Sequence, residues 1–211
     1  MENRPLKGIA LALASMTAAS TWAAQQGNPS MDNATRTRIA AAAARSAHWR
    51  TGDIVVKPND DLDRGGCTFL LAYNGSANDV PPLHYALLPD GRIAGVDLTG
   101  NAAVTALLRA CGKQADANWW AAVVTRFSGE AGGAPLTADS FASQIEEVRK
   151  AGGDFKPPVL TRSEGASRLE FFSLGTAVPV GGYIPYQVTA ILPDQGELTV
   201  TVKNLRTGTS H

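Results

Sequence analysis

The sequence predicts an α+β fold, with antiparallel sheets built from hairpins and three to four helices packed on one side. The stretches PLHYALLPDGRIAGVD, residues 82–97, and YQVTAILPDQGELTV, residues 186–200, each predict a strand, a tight turn and a second strand. Periodicity then orders the chain as one helix, four strands, three helices and at least three strands. Segregated runs of this kind are typical of α+β proteins.

The first part of the globular region is predicted to be a helix followed by four strands. Asp32 or Asn33 can cap a helix over ATRTRIAAAAARSAHW, because alanine favours helix without needing a packing partner. Its thin apolar stripe consists of Ile39, Ala42, Ala43 and Trp49. The segments DIVVK, CTFLLAY, LHYALL and RIAGV then predict strands, and the loop PNDDLDRGG separates the first two.

Three helices are predicted after the first hairpin. The apolar stripe of the first helix places Cys111 on its core side, seven residues after Val104. The second helix is expected to be capped by Asp116 or Asn118. Its apolar stripe consists of Trp119, Trp120, Val123, Val124 and Phe127. The third helix is expected to begin at Thr137. Its inward residues are Phe141, Ile145 and Val148.

The C-terminal segment is predicted to be rich in strands. Leu198, Val200 and Val202 alternate with polar residues, so these three side chains should share one buried face. A Pro-Pro pair forms a stiff link ahead of this segment. It divides the mature chain into a helix-strand-helix α+β region at 24–155 and a β-rich region at 156–211 that can be part of the same domain.

The N-terminus has the three-part pattern of a cleaved export signal. Two basic residues precede an apolar stretch at residues 9–19, and Thr21 and Ala23 have the small side chains that a signal peptidase requires. Residues 1–23 are therefore predicted to be a signal peptide, which makes the mature protein periplasmic or extracellular. The apolar stretch is shorter than the ~20 residues that span a membrane, and no second stretch approaches that length, so no transmembrane segment is expected in the mature chain.

Cys67 and Cys111 are the two cysteines of the chain. An even number of cysteines in an exported chain predicts a disulfide bond. The helical stripe directs Cys111 toward the sheet that contains Cys67, which agrees with that pairing. The bond would close a loop of about 45 residues, which the chain-entropy model values at roughly 4 kcal/mol.

The composition and the motifs argue against several function classes. The 211 residues carry 19 basic and 19 acidic side chains without a basic patch, so nucleic acid is not an expected partner. No His or Cys spacing predicts zinc, and the acidic loop starting at Asn59 fits neither register of an EF-hand calcium site. No phosphate loop or dinucleotide fingerprint is present. Neither a metal nor a cofactor is therefore expected.

His84 is the candidate catalytic residue. A serine hydrolase needs a nucleophile, a histidine and usually an acid, and Asp90 and Asp97 lie near His84 in sequence. No spacing selects a complete set. The competing interpretation is a packing residue, because both faces of this strand are largely apolar. That interpretation predicts a central strand with His84 at least half buried.

Trp119 and Trp120 are the candidate binding residues. Adjacent helical positions point about 100° apart, so one indole can be buried while the other reaches the rim and anchors a ligand. The alternative is two core residues at a helix–sheet junction.

Together these observations predict an exported, non-catalytic binding or accessory protein whose partner is a protein or a small ligand. The alternative function is a small secreted hydrolase that uses His84.

Overall fold

A computed structural model describes residues 31–77, 80–176 and 182–208. The predicted signal peptide and His211 lie outside these residues. The described chain contains four α-helices and nine strands. In chain order they are α1 Asn33–Ala47, β1 Ile54–Pro58, β2 Thr68–Asn74, β3 Leu83–Leu87, β4 Ile93–Ala94, α2 Gly100–Cys111, α3 Ala117–Phe127, β5 Ala134–Pro135, α4 Ala142–Lys150, β6 Val159–Ser163, β7 Ala166–Thr176, β8 Tyr183–Pro193 and β9 Thr199–Asn204.

The strands form two antiparallel sheets, which confirms the α+β fold. The first sheet has the order β1-β2-β3-β4, and the second has the order β5-β7-β8-β9 with β6 also paired to β7. Both predicted hairpins are present, as β3–β4 and β8–β9. In the second, the side chains of Leu198, Val200 and Val202 are buried, as their alternation predicts.

The sequence predicts helices on one side of the sheets, but they pack on both faces, so the described unit is built in five layers. On the first face of the first sheet, Ile39 and Ala43 of α1 pack against Leu70 and Tyr85. Helices α2 and α3 pack between the two sheets and share one apolar core with both. On the outer face of the second sheet, Val148 of α4 joins a smaller apolar cluster.

Helix α3 connects the two sheets through its adjacent tryptophans. The rings of Trp119 and Phe69 of β2 meet edge to face, with centroids 6.0 Å apart. The Trp120 ring lies instead beside Arg162 of β6, whose guanidinium carbon is 5.9 Å from the ring centroid. Both tryptophans are at most 4% exposed. The angular separation of neighbouring helical positions therefore lets one helix contact both sheets.

A disulfide bond between Cys67 and Cys111 joins the start of β2 to the last residue of α2, as predicted. Their Cα atoms are 6.1 Å apart. The turn before β2 makes this approach possible, since Gly65 and Gly66 both have positive φ values, of 60° and 82°. A Cβ atom at Gly65 would lie 2.9 Å from the Cα of Cys111, so this position requires glycine.

The prediction for the fourth helix is wrong in two respects. The helix begins at Ala142 instead of Thr137, because the Ser140 and Thr137 side chains accept hydrogen bonds from backbone N–H groups within a turn. Phe141 consequently precedes the helix and is 76% exposed, although its spacing predicted an inward position. Val148 is buried as predicted.

Replacing Gly65 with alanine should destabilise the protein more than replacing Gly91. Both glycines have positive φ, so both variants incur the backbone cost of a left-handed residue. Only Gly65→Ala adds a clash, because a Cβ at Gly91 meets nothing within 4 Å. Overpacking at Cys111 should lower the free energy of unfolding by about 1–3 kcal/mol more than in Gly91→Ala. Urea denaturation measures both variants, and equal losses would contradict close packing at this junction.

Candidate functional site

The α2–α3 layer covers part of the sheet face against which it packs. Phe69 and Ala86, which are opposite each other on β2 and β3, are buried in the central core. Further along the same strands, the side chains of this face lie outside the apolar clusters. We call this partly covered surface the open face, and it consists of Val55, Lys57, Leu71, Tyr73 and His84.

The open face is a continuous surface across three strands. Lys57 is opposite Leu71, Leu71 is opposite His84, and Val55 is opposite Tyr73. The Lys57 ammonium nitrogen lies 5.8 Å from the centroid of the Tyr73 ring. At a strand spacing of about 4.8 Å, the row from Lys57 to His84 spans about 10 Å. Of these five residues, sequence reasoning had singled out His84 alone.

A groove of about 490 Å³ borders the open face on its β1 side. Its opposite wall is the segment at 80–82, which contains Val80 and two prolines. Val55 is 43% exposed and Val80 is 41% exposed, so two large apolar side chains of the described chain are accessible in one groove. Among the described residues that line this groove, Lys57 is the one with a positively charged side chain, and none has a carboxylate side chain.

A second cavity, of about 300 Å³, adjoins the His84 end of the open face. Thr125 and Arg126 of α3 and the segment at 133–135 complete its described walls. Strand β3 lies between β2 and β4, as expected for a central strand, but β4 pairs only with Ala86 and Leu87. The His84 end of β3 therefore has no paired strand on that side within the described chain.

His84 is a neutral group at physiological pH. Burial, reinforced by the nearby positive charge of Arg126, lowers the pKa of His84 from its usual 6.5 to about 4. A neutral imidazole can accept a proton or a hydrogen bond. The cavity therefore has Arg126 as its fixed positive charge and His84 as a polar, uncharged wall.

The cavity beside His84 has neither a serine nor a carboxylate among its described lining residues. Both acids near it in sequence bind other groups. An Asp90 carboxylate oxygen lies 2.8 Å from Nε of Arg92, and Asp97 accepts two hydrogen bonds from Arg38, of 2.6 and 2.8 Å.

Trp119 and Trp120 have structural contacts that explain their burial. The indole N–H of Trp119 donates to the Leu62 carbonyl over 2.9 Å, and that of Trp120 donates to the Gly112 carbonyl over 3.0 Å. Buried indole N–H groups usually need such partners. Trp119 lies in the core, whereas Trp120 also forms part of the wall of a separate cleft described below.

The described ranges contain no group of three His, Cys, Asp or Glu side chains that could hold a metal ion. Among the same residues, no helix has both the length and the apolar character needed to cross a bilayer. Comparison with known protein families, curated proteins and solved structures finds no match to this chain. Interpretation of the site therefore rests on its own geometry.

The low pKa of His84 predicts a specific pH dependence of stability. Between pH 6.5 and about 4, the unfolded chain binds a proton at this histidine that the folded protein does not bind. The free energy of unfolding should therefore fall as the pH falls through this window, and His84→Gln should remove that component. Urea midpoints at about pH 7 and about pH 4.5 measure the difference.

The matched control for this experiment is His48→Asn at the exposed C-terminus of α1. His48 has a φ of 57°, a conformation that asparagine tolerates. The control should keep the acid sensitivity of the original protein. Identical pH dependence in the original protein and in His84→Gln would show that His84 does not titrate abnormally.

Proposed function

We propose that the protein is a non-catalytic binding protein that holds an extended segment of a partner protein against the open face. The observation that carries this proposal is the partly accessible apolar surface formed by Val55, the Tyr73 opposite it, and Leu71 on the same face of β2. Contiguous apolar surface with polar residues at its rim is typical of interaction sites. Single exposed apolar side chains elsewhere on the molecule need no such explanation.

Charge favours an acidic partner segment. Lys57 and Arg126 carry the positive charges along the described walls of the two cavities, and His84 is neutral. Complementary charge at the rim of an interface improves partner selection and the rate of encounter. A segment that alternates apolar and acidic side chains would place apolar groups on the floor and carboxylates beside the two cations.

The strand arrangement supports an extended ligand. Among the described strands, β1 is the edge of the first sheet and pairs with β2 alone. An edge strand has backbone N–H and C=O groups that can pair with an added strand. Lys57 and Pro58 on β1 discourage uncontrolled pairing, since lysine and proline are common protective residues on edges.

The alternative function, a small secreted hydrolase that uses His84, has less support. General-base catalysis requires the base to reach its nucleophile within hydrogen-bond distance. No described serine or carboxylate lines the cavity beside His84. A neutral histidine beside an arginine is also a suitable wall for a peptide-binding cavity.

Replacing Val55 with aspartate should weaken peptide binding strongly. Peptides selected from a random display library against the native protein serve as the probe, and we expect them to be enriched in alternating acidic and apolar residues. Val55→Asp removes apolar contact and repels acidic ligands, so the Kd should rise at least about tenfold. Fluorescence anisotropy with labelled peptides measures this change.

The matched control is Val159→Asp on β6, an edge strand of the second sheet. Val159 is 48% exposed and Val55 is 43% exposed, so both variants add one charge at a comparably accessible edge valine. Val159→Asp should leave the Kd unchanged. Failure to select any peptide, or equal weakening by the two variants, would contradict the proposed site. Thermal melts of both variants verify that they are folded.

We also infer that the protein is exported, with residues 1–23 removed as a signal peptide. The support is the basic, apolar and small-residue pattern of these residues together with the Cys67–Cys111 disulfide. Disulfide bonds form and persist in oxidising compartments such as the periplasm and the extracellular space. Export would deliver the binding protein to such a compartment.

Expression of the full chain in a Gram-negative bacterium tests this inference. The protein recovered from the periplasm should begin at Ala24, as read by N-terminal sequencing. Ala23→Arg should block processing, because the peptidase requires a small residue before the cleaved bond. Gln26→Arg, which adds the same charge beyond that bond, should still be processed. Recovery of periplasmic protein that retains Met1 would exclude this signal peptide.

A further inference from the structure

A third cavity lies where the C-terminus of α2 meets β6 and the end of β8. This cleft, which we call the cationic cleft, has a volume of about 560 Å³. It shares no lining residue with the two cavities at the open face. Arg109, Lys113 and Arg162 line it with positive charge, and Asp194 is its one described carboxylate. The volume falls within the range of small-molecule sites.

Two of these cations are held in position by groups that carry no net charge. The Arg162 guanidinium lies beside the Trp120 ring, and its Nη2 donates to the Ala115 carbonyl over 3.1 Å. The Arg109 guanidinium donates from Nη2 to carbonyl oxygens of the β8–β9 turn. These contacts fix the positions of both side chains but leave their positive charges uncompensated.

The cations of the cleft also lack ion-pair partners. Within the described residues, Arg109, Lys113 and Arg162 take part in no salt bridge. The C-terminus of α2 contributes partial negative charge equivalent to roughly half an elementary charge, which is smaller than the charge of the three cations.

We propose that the cationic cleft binds a small, multiply charged anion, of the phosphate or polycarboxylate class. Three cations against one carboxylate leave a local excess of two positive charges. Arginine has five N–H donors in a planar fork suited to both phosphate and carboxylate oxygens. Arg162 uses one of its nitrogens in the hydrogen bond to Ala115, so other donors remain for a ligand. Lys113 is exposed and adds an ammonium group to the cleft.

Titration of the native protein with inorganic phosphate and with citrate tests this proposal. Both are followed by two-dimensional NMR of the backbone amides at low ionic strength, with sodium chloride of equal ionic strength as the blank. At least one anion should give saturable shifts at Lys113 and Arg162, with a Kd at or below about 1 mM. The two probes distinguish a phosphate ligand from a polycarboxylate. Absence of saturation with both probes would overturn the proposal.

Four variants localise the binding. Arg162→Ala should raise the Kd about tenfold, since it removes a charged hydrogen-bond donor. Lys113→Ala should raise it too, and this variant should fold normally because Lys113 is exposed. Asp194→Asn should lower the Kd by removing the opposing carboxylate. The control Arg168→Ala removes the same charge from a residue that is paired with Glu170 at 2.7 Å. It should leave the Kd unchanged, and equal weakening by Arg162→Ala and Arg168→Ala would overturn the proposal.

Discussion

The burial of α3 between two sheets is the constraint on which the other layers depend. The apolar residues of α3 are distributed around most of its circumference, as expected for a helix enclosed by protein on more than one side. Trp119 contacts the first sheet and Trp120 lies beside the second, while each indole N–H bonds a backbone carbonyl. The disulfide at Cys111 fixes α2 to the first sheet, and α2 packs against α3. Loosening this layer would expose both sheets at once.

The limited extent of the middle layer explains why an open face exists. This layer covers β2 where Phe69 packs and leaves Leu71 and Tyr73 beyond the core clusters. All three side chains lie on the same face of the strand, since side chains two residues apart point to the same side. Strand composition alone therefore does not reveal where the covered part of this face ends.

Local chemistry predicted most of the fold but little of the candidate sites. Hairpin turns, the Asp116 cap and the disulfide could be read from sequence, because each depends on neighbouring residues or on cysteine pairing. The predicted inward position of Phe141 is wrong because two side-chain hydroxyls stabilise a turn where the apolar periodicity allowed a helix. Leu71 and Tyr73 occur in the apolar segment CTFLLAY, whose composition does not show that these two side chains lie beyond the core clusters. Lys113 and Arg162 are far apart in the sequence, and only tertiary packing brings them to the same cleft.

The electrostatics of the molecule favour local recognition over long-range attraction. The chain carries equal numbers of basic and acidic side chains, so a partner at a distance meets little net field. At physiological ionic strength, exposed charges are screened beyond about 8 Å, which is similar to the ~10 Å row across the open face. Lys57 can therefore influence a ligand that is already near the groove. The low pKa of His84 keeps the histidine uncharged near neutral pH, so the fixed charges beside the open face are those of Lys57 and Arg126.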